Sequence, residues 1–264
     1  MDSPLVVVPT YCERDNVRAL IDGVARACPR ADLLFVDDNS PDGTGDVLDE
    51  LATLNKQVHV LHRPGKAGLG RAYIAGFHWA LERGYPFVVA MDADLSHAPA
   101  DVPRLLAAVE GADLALGSRY VSGAQLGDWG VKRLILSRAA SLYVRLITGL
   151  PFSDPTGGFK CYRSEVLRAL DLDRISSNGF AFQVEMAHQI WHAGFAVVEV
   201  PIHFQDRHAG RSKISASIAF EGAWKVWSLL VRAGFRRRPG EPRVVDAGQR
   251  RAAAMCAKDD SSSA

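Results

Sequence analysis

Short runs of apolar residues alternate with longer amphipathic stretches through the first half of the chain. The short runs predict buried strands and the stretches between them predict helices. Strands are predicted at Leu5–Val8, Leu33–Val36, Val58–Leu61, Phe87–Met91 and Leu114–Leu116. Helices are predicted near Asn16–Ala27, Thr44–Leu54, Leu69–Arg83 and Ala100–Val109. This alternation indicates an α/β fold with a mostly parallel central sheet flanked by helices.

The second half of the chain has a less regular pattern. Glycine-containing or polar loops are predicted at Tyr120–Gly130, Ser153–Gly158 and Gln205–Lys213. Helices are predicted at Lys132–Thr148, Ser164–Ala169, Phe180–Ala193 and Ile214–Phe235, with a late strand at Ala196–Phe204. From Arg236 onward, proline, glycine, charges and a serine run predict disorder. We therefore expect a domain over residues 1–213, an amphipathic helix over 214–235 and a disordered tail over 236–264.

Composition and charge narrow the function classes. The chain has 264 residues, of which 48% are hydrophobic and 23% charged, and its formal net charge is +1. That balance is ordinary for a globular protein and argues against a nucleic-acid partner. The four cysteines form no C-x-x-C pair, which argues against structural zinc and suggests a reducing compartment.

The sharpest candidate for chemistry is the carboxylate pair in the string MDADLSH. Asp92 and Asp94 directly follow a predicted buried strand, and alternation along an extended segment would turn both to one side. Converging carboxylates repel each other unless a cation lies between them, and Mg²⁺ commonly joins a carboxylate to substrate phosphates. The alternative is a solvated turn with a helix-capping aspartate. We favour a site for Mg²⁺ or Mn²⁺.

Two further polar clusters follow predicted strands and also have structural interpretations. The string VDDNSPDG predicts a tight turn and a helix cap, or a carboxylate that binds a ribose or base. In PTYCE, Thr10 and Glu13 have the spacing of a capping box. This first strand-to-helix turn contains no glycine, which argues against a dinucleotide-binding dehydrogenase.

Cations near predicted loop and helix ends form the last group. Each is individually typical of a solvated surface, but Arg207, Arg211 and Lys213 cluster in one glycine-containing loop that suits phosphate oxygens. The sequence contains no G-x-S-x-G elbow and no cysteine in a catalytic context. The pattern therefore favours metal and cation electrostatics over a covalent intermediate.

These strings together resemble the family-2 glycosyltransferases, which have the nucleotide-sugar-binding GT-A fold. Within that family the chain resembles the dolichol- or polyprenol-phosphate mannose synthases, in their form without transmembrane helices. The resemblance covers about residues 5–213 and rests on the strings PTYCERDN, VDDNSPDGT, KAGLGRAYIAGF, MDADLSH, GSRYVSG, KRLILSR, SDPTGGFKCYR, FAFQVEM and EVPIHFQDRHAGRSK.

The resemblance implies a set of site residues. Positions that cradle the nucleotide of GDP-mannose are matched by Pro9, Tyr11, Glu13, Val36, Asp38 and Ala93. Asp92 and Asp94 match the positions that hold the metal. Arg119, Arg133 and Ser137 match positions near the acceptor phosphate. Arg207 and Lys213 match positions that bind the leaving diphosphate. By that resemblance the catalytic groups would be Asp92, Asp94, Arg119, Arg133, Arg207 and Lys213.

The implied reaction is transfer of mannose from GDP-mannose to a polyprenyl phosphate, with inversion in one metal-assisted displacement. Alternatives are the same chemistry with UDP-glucose, or a catalytically silent regulatory subunit. No stretch reaches the ~18 apolar residues of a membrane span, so we expect a peripheral protein on the cytoplasmic face of a membrane. The helix over 214–235 would bind that membrane surface, pack on its own domain, or dock on an integral-membrane protein.

Overall fold

The computed structural model describes residues 3–127 and 131–205, three residues further on (Trp224, Val226 and Trp227) and the backbone of residues 243–244. For Lys132, only the backbone is described. The strands are β1 (Leu5–Thr10), β2 (Asp32–Asp37), β3 (Val58–His62), β4 (Phe87–Ala90), β5 (Leu114–Ser118), β6 (Gln125–Leu126), β7 (Lys160–Arg163), β8 (Val197–Pro201), β9 (His203–Phe204) and β10 (Arg243–Val244). The helices are α1 (Val17–Ala27), α2 (Thr44–Leu54), α3 (Leu69–Glu82), α4 (Val102–Ala108), α5 (Val131–Thr148), α6 (Ser164–Ala169) and α7 (Gly179–His192).

Eight of these strands form one sheet in the order β10-β8-β5-β7-β4-β1-β2-β3. All neighbours in it are parallel except at β7, which is antiparallel to both β4 and β5. The predicted α/β class with a mostly parallel sheet is therefore confirmed. β6 and β9 form a separate two-stranded parallel ribbon.

The strand order reverses between β1 and β4. From β1 the chain adds β2 and β3 on one side, and β4 then pairs with the opposite edge of β1. That pairing ends at Val7, opposite Ala90, while β1 continues to Thr10 beside β2. Pro9 lies in this extension, where the edge that faces β4 has no ladder partner and a missing N–H costs no hydrogen bond. Ligands of open α/β sheets bind at such a reversal, beyond the carboxyl ends of the strands.

Helices cover both faces because the central strands are apolar on both. In β1, Leu5 and Val7 pack into one hydrophobic cluster, with α3, α6 and α7. Val6 and Val8 pack into the other, with α1 and α4. A Cβ on Gly76 of α3 would lie 2.4 Å from Val7 Cγ1, so only glycine allows this helix to lie so close to β1.

The sequence patterns missed β7 and the break after β8. The predicted strand Ala196–Phe204 is two strands separated by Ile202. β7 holds Lys160 and Arg163 among its four residues, and these charges obscured its apolar pattern. Arg243 and Val244 lie in the segment for which the sequence predicts disorder, and here they pair with β8.

Candidate active site

A cavity of about 530 Å³ opens beyond the carboxyl ends of β4 and β5 and is flanked by α5. It brings together five residues singled out from the sequence, Asp92, Asp94, Arg119, Arg133 and Ser137. Its remaining lining comes from Ser96, His97, Gly117, Leu136, Ala139, Ala140, Tyr143, Val144, Thr156, Gly157, Gly158, Phe180, Ile202 and Phe204. The cavity thus has a carboxylate pair and cations in one lining.

Asp92 and Asp94 lie in a turn, not in an extended segment as the alternation argument assumed. The strand ends at Ala90, and Leu95 has a φ of 60°, which is an uncommon backbone conformation for a leucine. The Ser96 N–H donates to Asp94 Oδ1 at 3.1 Å. Both carboxylates line the cavity, so the expected convergence on one site is observed although the strand ends before them.

Two aromatic residues, Tyr73 and His97, form hydrogen bonds with Asp92. The Tyr73 hydroxyl donates to Asp92 Oδ1 at 2.9 Å, and burial together with that carboxylate keeps the pKa of Tyr73 well above its ordinary value. The Asp92 backbone N–H donates to His97 Nδ1 at 3.2 Å. Burial lowers the pKa of His97, although the carboxylates of Asp92 and Asp94 oppose the shift. His97 is therefore a neutral acceptor that orients the turn.

Arg119 is fastened in the lining by a buried ion pair. Its Nε and Nη2 donate to the two carboxylate oxygens of Asp154 at 2.6 and 2.7 Å, and Nη2 also donates to Thr156. Burial would raise the pKa of Asp154, but the Arg119 guanidinium holds it below its ordinary value. The backbone N–H of Asp154 in turn donates to the buried carboxylate of Glu199. This bidentate geometry fixes the guanidinium plane.

Helix α5 supplies one wall of the cavity. Arg133 and Ser137 stand one turn apart on it and both line the cavity. The Tyr120 hydroxyl donates to Ser137 Oγ at 2.5 Å, which ties α5 to the loop after β5. The predicted acceptor-side residues Arg119, Arg133 and Ser137 thus lie in one lining.

Beneath the cavity lies a buried lysine that the sequence interpretation did not assign. Lys160 is fully buried, and its Nζ donates to the Gln183 carbonyl oxygen at 3.0 Å and to Gln183 Oε1 at 2.7 Å. Burial lowers its pKa to about 7, although Asp154 and Asp92 oppose the shift. The sequence signal was available, since a lysine and a glutamine interrupt otherwise buried segments in FKCYR and FAFQVEM.

The loops after β1 and β2 are tied together on the other side of the strand reversal. Asp37 accepts hydrogen bonds from the Thr10 hydroxyl and from the Ser40 side chain. The Glu13 backbone N–H donates to Thr44 Oγ1. Thr10 belongs to β1 and α1 begins only at Val17, so the capping-box interpretation of Thr10 and Glu13 is wrong.

Asp38 is one of the predicted nucleotide-binding residues and is nearly buried at the end of β2. It accepts from Arg63 Nη1 at 2.6 Å. Burial raises the pKa of the Asp38 carboxyl, while Arg63 opposes the shift. Two other predicted residues, Val36 and Ala93, are also buried, and only Pro9, Tyr11 and Glu13 of that group are partly exposed. Lys66 Nζ stands 4.0 Å from the centre of the Tyr11 ring.

Each of the three loops beyond β1, β2 and β4 contains one residue other than glycine with positive φ. These residues are Cys12, Asn39 and Leu95, at 60°, 56° and 60°. Such conformations cost energy and cluster where loops are shaped for a ligand. The two remaining predicted site residues, Arg207 and Lys213, lie outside the described residues, as does the rest of their loop beyond Gln205.

Comparison with known proteins agrees with this geometry. Residues 5–171 match the family described as glycosyl transferase family 2. The chain is 48% identical to the polyprenol monophosphomannose synthase of Mycolicibacterium smegmatis, over 89% of this chain and 90% of that protein. It is also 48% identical to the undecaprenyl-phosphate mannosyltransferase of Micrococcus luteus, over 89% of this chain and 98% of that protein.

A solved structure shares the fold at low sequence identity. Glucosyl-3-phosphoglycerate synthase from Mycobacterium tuberculosis, in complex with Mn²⁺, UDP and glucosyl-3-phosphoglycerate, superposes with a TM-score of 0.63 at 19% identity. The alignment covers 89% of this chain and 81% of that one. Because the family match spans more than half of the chain and the two mannosyltransferases align along nearly their whole length, the chain is a glycosyltransferase and belongs to glycosyl transferase family 2.

Proposed function

We propose that the chain transfers a mannosyl unit from GDP-mannose to a polyprenyl phosphate, giving polyprenyl-phosphate β-mannose. Two 48%-identical relatives are named for mannosyl transfer to polyprenol or undecaprenyl phosphate. The observation that carries the proposal is the single cavity in which the carboxylates of Asp92 and Asp94 and the cations of Arg119 and Arg133 share a lining. Such a cavity suits a donor diphosphate with its metal and an anionic acceptor.

The carboxylate pair fits a divalent metal that the substrate helps to hold. Among the described residues, no group of three or more His, Cys, Asp or Glu side chains could cage a metal. Mg²⁺ is commonly bound by one or two carboxylates together with substrate phosphates and water. Asp92 and Asp94 meet that requirement, and Mg²⁺ or Mn²⁺ bound there would neutralise charge on the departing diphosphate.

The remaining chemistry requires little from the protein beyond positioning. The acceptor phosphate is anionic at neutral pH, so its oxygen attacks the anomeric carbon without a general base while the bond to the diphosphate breaks. A single displacement of this kind inverts the donor α-linkage to β. Arg119, with its plane fixed by Asp154, and Arg133 would orient the acceptor. Arg207 and Lys213 would stabilise the leaving diphosphate.

The test is incubation of the purified chain with labelled GDP-mannose, Mn²⁺ or Mg²⁺ and a polyprenyl phosphate, followed by extraction into organic solvent. We expect labelled lipid from the wild type, and a loss of at least about a hundredfold in Asp92→Asn and Asp94→Asn, because metal charge supports the leaving group. The exposed Asp173→Asn is the matched control. Full activity after chelation would contradict the metal assignment, and preference for UDP-glucose would contradict the donor.

We further propose that the exposed face of α5 lies on the membrane that carries the acceptor. Five of its apolar side chains are more than half exposed: Val131, Ile135, Leu136, Leu142 and Leu146. The 18 residues of α5 include four cations and no acidic residue, which suits an anionic lipid surface. Leu136 belongs both to this face and to the cavity lining, so a lipid chain leaving the cavity would meet it.

Other parts of the membrane prediction remain proposals. Among the residues that the structure describes, none of the helices is both long enough and apolar enough to cross a membrane. Trp224 and Trp227 are exposed while Val226 is buried and belongs to the same hydrophobic cluster as Val7 of β1, which supports an amphipathic segment there. We propose that this segment assists α5 on the cytoplasmic face of the membrane; docking on an integral-membrane protein is the competing role.

A further inference from the structure

The side-chain amide of Gln183 has an unused hydrogen-bond donor beside the cavity. Gln183 lies on α7 and is 3% exposed. Its Oε1 accepts a hydrogen bond from Lys160 Nζ, whereas its Nε2 has no hydrogen-bond partner among the described residues. Buried donors in native proteins are almost always paired, so this atom indicates a partner that binds from outside the chain.

Lys160 determines which end of the amide faces away from it. The lysine amino group donates both to Gln183 Oε1 and to the backbone oxygen of the same residue. While Lys160 is protonated it is only a donor, so in that state rotating the amide by half a turn would bring two donors together. The Nε2 group is therefore held on the side opposite Lys160 by the chemistry of the pair.

The donor borders a small recess above Gly158. A Cβ placed on Gly158 would lie 3.4 Å from Gln183 Nε2, 3.5 Å from Asp92 Oδ2 and 3.5 Å from His97 Cε1. These are ordinary contact distances, so the recess has room for a group of methyl or hydroxyl size. Gly158, Asp92 and His97 all line the cavity, and the recess is therefore part of its floor.

The recess also lies beside two carboxylates, those of Asp92 and Asp154. Asp92 borders it directly, and a Cβ on the preceding Gly157 would lie 3.5 Å from Asp154 Oδ2, the oxygen that accepts from Arg119 Nε. Where no metal lies between them, a phosphate oxygen would be repelled by the Asp92 carboxylate. A hydroxyl group suits the position, because it can accept from Gln183 Nε2 and donate to a carboxylate oxygen.

We infer that Gln183 Nε2 donates a hydrogen bond to a hydroxyl oxygen of the sugar being transferred, which makes Gln183 a specificity-determining residue. The inference rests on the proposed function, in which the sugar lies between the donor diphosphate and the acceptor phosphate. Sites that hydrogen-bond a substrate hydroxyl discriminate strongly against analogues that lack it, because their own polar group is then left unpaired.

The test pairs a residue change with removal of single sugar hydroxyls. Gln183→Met keeps the length of the side chain and removes both the Nε2 donor and the Oε1 that accepts from Lys160. We expect kcat/KM for GDP-mannose to fall about tenfold to a hundredfold while the Kd for GDP stays unchanged. For the wild type, one of the four donors GDP-2-deoxy-, 3-deoxy-, 4-deoxy- and 6-deoxymannose should show a comparable fall. For Gln183→Met, that donor should show little further loss, since the interaction is already gone.

A second variant covers the case in which Gln183→Met fails to fold. Gly158→Ala places a methyl group in the recess at ordinary contact distances, and we expect it to lower kcat/KM for GDP-mannose with unchanged GDP affinity. Unchanged kcat/KM in the folded variants, or an equal loss for all four deoxy donors in Gln183→Met, would overturn the inference. If the wild type transferred no mannose at all, the proposed function itself would have failed.

Discussion

At the residue scale, the site is built on charges that are buried beneath it. Arg119 lines the cavity, whereas Asp154, Glu199 and Lys160 are buried, and all four are matched by specific hydrogen bonds. Breaking one partner of such a buried pair is costly, because the other charge is left without compensation. These buried interactions therefore hold the lining in place. The burial of Lys160 also has a measurable effect on stability.

Lys160 makes the stability of the fold depend on pH. Its pKa is about 7 in the folded state against an ordinary 10.5, so below pH 7 both states are protonated and the fold bears the full cost of a buried charge. Between about pH 7 and 10 the unfolded chain holds a proton that the folded chain has released. The free energy of unfolding contributed by this group therefore rises with pH across that window.

Lys160→Met should remove that dependence. We expect the free energy of unfolding of the variant, relative to that of the wild type, to be highest at pH 7. This difference should shrink by on the order of a few kcal/mol toward pH 10. Urea denaturation at pH 7, 8, 9 and 10 measures it, with the exposed Lys56→Met as the matched control. A difference between variant and wild type that stays constant with pH would contradict the assignment.

At the scale of the element, helix α5 contributes to the cavity on one side and to an exposed apolar face on the other. Its inner side contributes Arg133 and Ser137 to the cavity and Val144 to the core, while its outer side exposes leucines and cations. An ordinary surface helix would place polar residues on that outer side. The combination follows if α5 binds the phosphate of the acceptor on one side and a lipid surface on the other.

Substituting both Leu142 and Leu146 with glutamate tests the outer side, because neither residue lines the cavity. Each leucine buried in the lipid interface contributes about 2 kcal/mol, so binding to anionic vesicles should weaken at least about tenfold. Transfer to a long polyprenyl phosphate in vesicles should fall with it, while transfer to a short, water-soluble acceptor should persist. Vesicle flotation and the two acceptor assays measure these effects.

The matched control is Leu54→Glu, since Leu54 is even more exposed than Leu142 and Leu146 but lies on α2. Equal vesicle binding by the control and the double variant would show that α5 does not hold the membrane. Self-association of the wild type that the double variant loses would instead identify the face as an interface between two copies of the chain.

At the scale of the whole molecule, the site is assembled by the sheet. Loops from β1, β2 and β4 converge because the strand order reverses at β1, and β7 inserts antiparallel to bring Lys160 beneath them. A ligand that spans these loops connects parts of the chain that are far apart in sequence. Ligand binding should therefore stabilise the folded state as a unit.

We expect GDP and Mn²⁺ together to raise the melting temperature more than the sum of their separate effects. At a hundredfold excess over Kd, the gain of about 2.7 kcal/mol corresponds to roughly 5–10 °C for a domain of this size. Asp94→Asn should keep the shift from GDP alone and lose the joint increment. Differential scanning calorimetry measures both, and additive shifts in the wild type would contradict a metal shared with the nucleotide.

From the amino-acid sequence we could predict the α/β class, most element positions and the polar clusters at the strand ends. These features were predictable because local periodicity and the polar residues at strand ends are each visible within a few neighbouring residues. The helix Thr44–Leu54 was predicted to the residue, and the carboxylate pair was located from its position after an apolar run. The family was recognisable for the same reason, since its strings are short and contiguous.

What surrounds those clusters depends on how distant parts of the chain pack together. β7 was missed because its two charged residues find partners far away in sequence: Lys160 on α7, and Arg163 on the carbonyl groups of Glu110 and Ala112. The pairing of Arg119 with Asp154, the unused donor of Gln183 and the outward leucines of α5 likewise depend on which elements pack together. A local pattern shows that a residue is unusual for its place, but its partner is set by the fold, and the partner decides the chemistry.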